Sequence, residues 1–263
     1  MKLAANLSLM YTEWAFVDRI AAAAEDGFKH VECMFPYECA PEQLQSATNR
    51  AGVDWLLINA PCGNWSGGDR GLACLPNRRD EFKEAAYRAA EYALALRVPH
   101  VHVLAGVVNG QPHEPSIEDA WACYEDNLRW LCREMAHLPI VWLIEPINTR
   151  DVPGYLLNTQ AQAHAMVMRI DAPNLGVQMD LYHCQIMEGD VIRKLEAYLP
   201  TGRVKHIQIA GVPERHEPDL SELHYPRVFE CLQALAYQGG VGCEYRPKQG
   251  TRAGLHWRST MRI

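Results

Sequence analysis

The sequence predicts a (β/α)8 barrel, and three observations carry that reading. Eight short β-type runs recur along the chain, and amphipathic helical segments separate them. No linker, internal repeat or low-complexity stretch breaks the alternation. The length of 263 residues suits such a barrel, which typically needs about 250. The competing topology for the same alternation is an open, doubly wound parallel sheet. A single domain spanning residues 1–263 is expected, with 258–263 as a flexible tail.

In order, the first strand is read at Leu3–Met10, and Thr12 is placed to cap a helix carrying Trp14 and Phe16. Strands two and three follow at His30–Met34 and Trp55–Asn59. A long connection, Pro61 to Arg78, then leads to a helix whose apolar positions Phe82, Ala85, Ala89, Ala93 and Leu96 recur at three-and-four spacing. After strand four, His100–Leu104, Ser116 with Asp119 three residues on resembles a capping box. It opens a helix with Trp121, Tyr124, Leu128, Leu131 and Met135 on one face. Strands five to seven are Val141–Ile147, Leu175–Asp180 and Val204–Ala210. A second long connection, Ala210 to His224, precedes a helix with Pro226 in its first turn, and Val241–Tyr245 is the eighth strand.

Both long connections follow strands, so in a barrel they lie over the face where such proteins carry their sites. The first is either a glycine-rich surface loop or a lid; its glycines match neither a Walker motif nor a dinucleotide fingerprint. Composition narrows the function further. A net charge of −7, from 32 acidic and 25 basic residues, argues against a duplex nucleic-acid binder. Nine cysteines without a CxxC pair read as buried thiols in a reducing compartment, and neither a signal peptide nor a membrane-spanning run is apparent, so a cytoplasmic protein is expected. Assembly as a homo-oligomer stays open.

The chemistry sits at strand ends. Glu145, Asp180, Gln208 and Glu244 close the runs Val141–Glu145, Val177–Asp180, His206–Gln208 and Val241–Glu244. Three carboxylates and an amide at one mouth present the oxygen donors that hard divalent cations such as magnesium or manganese take. The same carboxylates can also move protons. Side-chain alternation lets Arg246 share a direction with Glu244 and groups His206 with Gln208. His183 stands just past the Asp180 strand, either to hydrogen-bond a substrate oxygen or to prop its loop. His102 and His206 are read as hydrogen-bonded core histidines, while His30, His100, His113, His137 and His164 carry no site signal.

The segments Glu145-Pro-Ile-Asn148, Asp180-Leu-Tyr-His183, His206-Ile-Gln-Ile-Ala210 and Cys243-Glu-Tyr-Arg-Pro247, with Ala5-Asn-Leu-Ser8 and Met34-Phe-Pro-Tyr37, resemble the hydroxypyruvate isomerase family of the xylose isomerase-like barrels. The resemblance runs from Leu3 to Trp257, and the segments around His100–Val108 and Gln208–Pro218 look closer to its 2-oxo-tetronate isomerase branch. It implies a metal site at Glu145, Asp180, Gln208 and Glu244, with Glu145 and Glu244 as the proton-transfer pair. The substrate would be a short hydroxy-oxo acid whose carbonyl moves to the neighbouring carbon through an enediolate. Such a substrate needs a cation for its carboxylate. Arg215, Arg246 and Arg70 are the candidates, because a guanidinium fork binds a carboxylate by two hydrogen bonds; solvated surface charge is the other reading of each. A ketose 3-epimerase is the nearest alternative, although those enzymes usually carry a histidine where this chain has Gln208. An apurinic endonuclease-like barrel is the alternative from another class, but it would require a histidine-rich zinc cluster and a basic DNA surface. A barrel that binds without catalysing is the last.

Overall fold

The computed structural model describes residues 1–109 and 115–261. Its eight parallel strands are β1 (Lys2–Asn6), β2 (His30–Cys33), β3 (Asp54–Asn59), β4 (His100–His102), β5 (Val141–Ile144), β6 (Leu175–Asp180), β7 (Val204–Ile209) and β8 (Gly240–Cys243). Each pairs with the next, and β8 pairs with β1 to close the barrel. The open sheet is thereby excluded. Eight helices fill the connections: α1 (Asp18–Glu25), α2 (Pro41–Ala51), α3 (Arg79–Leu96), α4 (Ile117–Glu134), α5 (Gln160–Ile170), α6 (Leu181–Met187), α7 (Val191–Tyr198) and α8 (Tyr225–Ala234). Two short turns, α9 (Thr251–Gly254) and α10 (Trp257–Thr260), follow β8. None of the described helices is long and apolar enough to cross a membrane.

Strand period builds two layers. Ile207 and Ile209 alternate with His206 and Gln208 on β7, and all four are buried. The isoleucines face the helices, so the polar pair must face the barrel axis. Outside, the alanine-rich face of α3 buries Ala85, Ala86, Ala89 and Ala93 and lets that helix lie close to the strands. Tyr124, Leu128 and Leu131 do the same for α4, which Ser116 caps by accepting the Asp119 N–H at 3.1 Å. Pro226 sits in the first turn of α8 as its missing N–H allows.

The structure corrects two local readings. The stretch from Tyr11 to Val17 forms turns and not a helix; α1 begins at Asp18 with no side-chain cap, so Thr12 caps nothing. Asn6, Ser8 and Arg19 hold that loop instead, with the Arg19 guanidinium donating to the carbonyls of Leu7 and Trp14. Strands β1, β5 and β8 also end earlier than their apolar runs suggest, which leaves Glu145 and Glu244 one residue beyond their strands. In the region read as a tail, Arg258 lies 4.3 Å above the Phe28 ring and donates to the Asp26 carbonyl at 2.8 Å. The last two tail residues and His113 lie outside the described residues.

Candidate active site

Strand register brings the expected residues to one level. Asp180 is the last residue of β6 and pairs with Gln208, which pairs in turn with Gly242 on β8. Glu145 and Glu244 follow β5 and β8 directly, and all four side chains are buried at the mouth. His183, in the first turn of α6, completes a cluster in which one ligand atom each from Glu145, Asp180 and His183 lie within 4.8 Å of one another. Its Nε2 is 3.5 Å from Asp180 Oδ2 and 3.9 Å from Glu145 Oε1.

Burial of like charges decides the electrostatics. Burial first, then repulsion from Glu244 and Asp180, pushes Glu145 well above the usual carboxylate range. Burial likewise raises Asp180 to about 6 and Glu244 to about 8, with Arg215 pulling both down. Burial and Arg215 keep His183 neutral by lowering its pKa well below the ordinary histidine value. Two carboxylate oxygens, Glu145 Oε1 and Asp180 Oδ2, are buried with no hydrogen-bond partner among the described residues. Such atoms are costly in a folded protein unless something binds them. The donor set therefore fits a divalent cation, since oxygen-rich, like-charged and under-satisfied groups are what a hard cation relieves.

Of the three candidate arginines, only Arg215 reaches the cluster. Its Nη2 lies 2.6 Å from Glu244 Oε2 and 3.6 Å from Asp180 Oδ2, and its guanidinium stacks over the Tyr182 ring at 4.9 Å. The left-handed backbone at Arg215, φ 58°, costs on the order of 1 kcal/mol for a side-chain-bearing residue. Bonds from Arg215 N to Gly211 O and from Arg246 N to Arg215 O, both 2.7 Å, hold it there. Arg246 itself is exposed and does not follow Glu244 inward, because β8 ends at Cys243 and strand alternation no longer applies. Arg70 spends its donors on the Trp65 and Asp69 carbonyls of its own loop and lies 3.8 Å over the Trp65 ring. Neither makes an ion pair with the cluster among the described residues.

The sequence reading missed the layer beneath. Glu32, in the middle of β2, is fully buried at the barrel axis. Its Oε1 accepts from Asn6 Nδ2 at 2.9 Å and Gln208 Nε2 at 2.8 Å, and its Oε2 is 2.7 Å from His206 Nε2. Gly242 makes this possible, since a Cβ there would collide with the Glu32 carboxylate. With its nitrogen held by Glu32, the Gln208 amide turns its oxygen away from that carboxylate; Gln178 Nε2 donates to it at 2.6 Å, leaving a second lone pair. His206 is thus the hydrogen-bonded core histidine expected, but His102 is not. Both His102 ring nitrogens lack a hydrogen bond among the described residues, and Nδ1 stands 3.3 Å from Glu145 Oε2. Asn148 was also missed: it packs on His183, with its Nδ2 2.6 Å from Nδ1.

Comparison with known proteins agrees with the closed barrel. A family model described as xylose isomerase-like TIM barrel matches residues 20–261. A 2-oxo-tetronate isomerase of Cupriavidus necator is 49% identical, over 97% of this chain and 96% of its own length. The hydroxypyruvate isomerase of Escherichia coli is 37% identical, over 98% of both. A solved structure from Brucella melitensis, described as AP endonuclease, family 2, superposes with a TM-score of 0.93 at 39% identity over 98% of both chains.

Proposed function

Because the chain belongs to the xylose isomerase-like TIM-barrel family, we propose that it is an isomerase of short hydroxy-oxo acids, 2-oxo-tetronate or hydroxypyruvate, acting in the cytoplasm. The observation that carries the chemistry is the pair of glutamates that flank Asp180 at the barrel mouth, both buried directly after their strands. A buried carboxylate placed beside the substrate carbons can serve as the base. One of the pair takes the proton from the hydroxyl-bearing carbon. The proton returned goes to the former carbonyl carbon, while the hydroxyl proton moves to the former carbonyl oxygen, so that the product is an isomer with the oxo group one carbon along. Glu145, Asp180, Gln208 and Glu244 would hold a divalent cation, with magnesium or manganese suited to oxygen donors, and that cation supplies positive charge beside the substrate oxygens.

The remaining residues position and neutralise. His183 is a neutral neighbour of Glu145 and Asp180, placed to hydrogen-bond a substrate oxygen as charge develops on it. Arg215, already tied to Glu244, provides the cation for the substrate carboxylate. Arg70 and Arg246, which sequence also nominated, are assigned to loop structure and surface. A panel of 2-oxo-tetronate, hydroxypyruvate and neutral ketoses, followed by NMR in heavy water with added magnesium or manganese, tests the assignment. Turnover of an oxo-acid with deuterium incorporated at the product carbon is expected; faster turnover of fructose or ribulose would replace it with an epimerase.

A further inference from the structure

We propose that Asn148 is a positioning residue that fixes the tautomer of His183, so that the ring faces the reaction site as an Nε2–H donor and stays outside the metal's ligand set. This rests on the isomerase reading for its purpose but not for its evidence. Two Asn148 nitrogens face the same ring atom: the backbone N–H is 3.3 Å from His183 Nδ1, and the side-chain Nδ2 is 2.6 Å from it. A backbone N–H can only donate, so Nδ1 must offer a lone pair. The side-chain amide agrees. Its Oδ1 accepts the Asp151 N–H at 2.7 Å, which leaves only the NH2 end to meet the histidine. A neutral imidazole with a bare Nδ1 carries its proton on Nε2, the atom turned toward Glu145 and Asp180.

The consequence separates two roles that distance alone leaves equal. Glu145, Asp180 and His183 lie close enough together to share a cation, and a metal-binding histidine would normally donate its other ring N–H to an acceptor. At Nδ1 this chain supplies donors only. His183 is therefore built to donate to a carboxylate or substrate oxygen, with Asn148 acting through it.

The test uses the full chain with nitrogen-15-labelled histidine and a long-range proton–nitrogen correlation spectrum. His183, assigned by its absence in His183→Gln, is expected to show a protonated Nε2 and a bare Nδ1, with and without magnesium. A proton on Nδ1 in the parent protein would overturn the proposal. Asn148→Asp keeps the oxygen that accepts from Asp151 and replaces only the NH2 by an acceptor, so it should move a proton onto Nδ1. It should lower kcat by about a hundredfold or more, since a histidine held in the wrong tautomer loses most of its effect, and leave KM within about threefold. Manganese titration of His183→Gln is the second arm: a Kd within about threefold of the parent supports a donor role, and a Kd weakened more than about tenfold makes His183 a ligand. If Asn148→Asp fails to fold, the parent spectrum and the titration decide. If instead the protein isomerises no oxo-acid, the tautomer result still stands, and only the proposed function falls.

Discussion

Two groups of buried carboxylates share the barrel axis, and they are treated in opposite ways. Glu32 is saturated: Asn6, Gln208 and His206 all bond it, and neither of its oxygens is orphaned. Glu145 and Asp180, one layer nearer the mouth, each keep an oxygen with no hydrogen-bond partner among the described residues; burial raises both, with Glu244 and Asp180 adding to the rise at Glu145 and Glu32 to that at Asp180. The same kind of side chain is a bonded strut in one place and an under-satisfied group in the other. What differs is the number of donors supplied, and under-supply is the mark of a group reserved for a ligand or a proton.

The largest effect should come from the glutamates at the mouth. Glu145→Gln and Glu244→Gln keep shape but remove the base, and each is expected to lower kcat by about a hundredfold to ten-thousandfold. Glu145→Gln should not melt below the parent in metal-free buffer, because the substitution removes a buried charge from a repulsive set. Near-normal turnover by Glu244→Gln with metal binding intact would remove it from the proton pair. Asp180→Asn should lose metal affinity, read by manganese titration, before it loses fold.

Arg215 sharpens the comparison, since among the described residues it is the arginine that pairs with the mouth carboxylates. Arg215→Ala should lower kcat/KM for the oxo-acid by about ten- to a hundredfold, as expected from losing a charged hydrogen bond worth roughly 1.5–3 kcal/mol. Weak turnover of a neutral ketose should hardly change, because no carboxylate is there to lose. Equal losses on both substrates would mean that the arginine serves Glu244 alone.

The saturated group should behave in reverse. Glu32→Gln gives the amide nitrogen to one of three donors and is expected to cost on the order of 1–3 kcal/mol in urea unfolding. Its kcat should fall much less than that of Glu145→Gln. If Glu32→Gln matches the catalytic variants in rate while keeping full stability, the division into strut and reactive group is wrong.

The layer at the mouth was legible in sequence and the strut was not, for a physical reason. Asp180, Gln208, Glu145 and Glu244 announce themselves because a polar residue ending an apolar run is a local signal. Glu32 sits inside His30-Val-Glu-Cys33, and its partners stand 26, 174 and 176 residues away across the barrel, a pairing that no window of sequence contains. The glycine that admits it, Gly242, reads only as a weak point in a strand. Thr12 misled because a good capping residue before aromatics does not fix where a helix starts; tertiary bonds from Arg19 set that loop. Arg246 misled for a related reason, since alternation was carried past the point where β8 ends.

The smallest expected effect concerns histidines away from the carboxylates, and it asks whether burial alone, without ligand chemistry, leaves a pH signature. His164 on α5 is buried, with its ring stacked on Tyr198 at 3.9 Å and its Nε2 without a hydrogen-bond partner among the described residues. Burial lowers its pKa from 6.5 to about 4. The folded protein thus prefers the neutral ring, whereas the unfolded chain takes up a proton near pH 6.5. Stability from this group is complete above the unfolded value and is lost progressively as pH falls from 6.5 toward 4. At pH 5.5 the loss should be about 1 kcal/mol. His164→Phe keeps a flat ring against Tyr198 and cannot be protonated, so the two proteins should unfold alike near about pH 7.5 and diverge on acidification, with the variant the more stable. His100, lowered to about 3 by burial and His206, contributes the same slope to both and cancels in the comparison. Parallel stability curves for parent and variant between pH 7.5 and about 5 would show that His164 is solvated or paired in solution, and that an unpartnered buried atom need not mark a perturbed group.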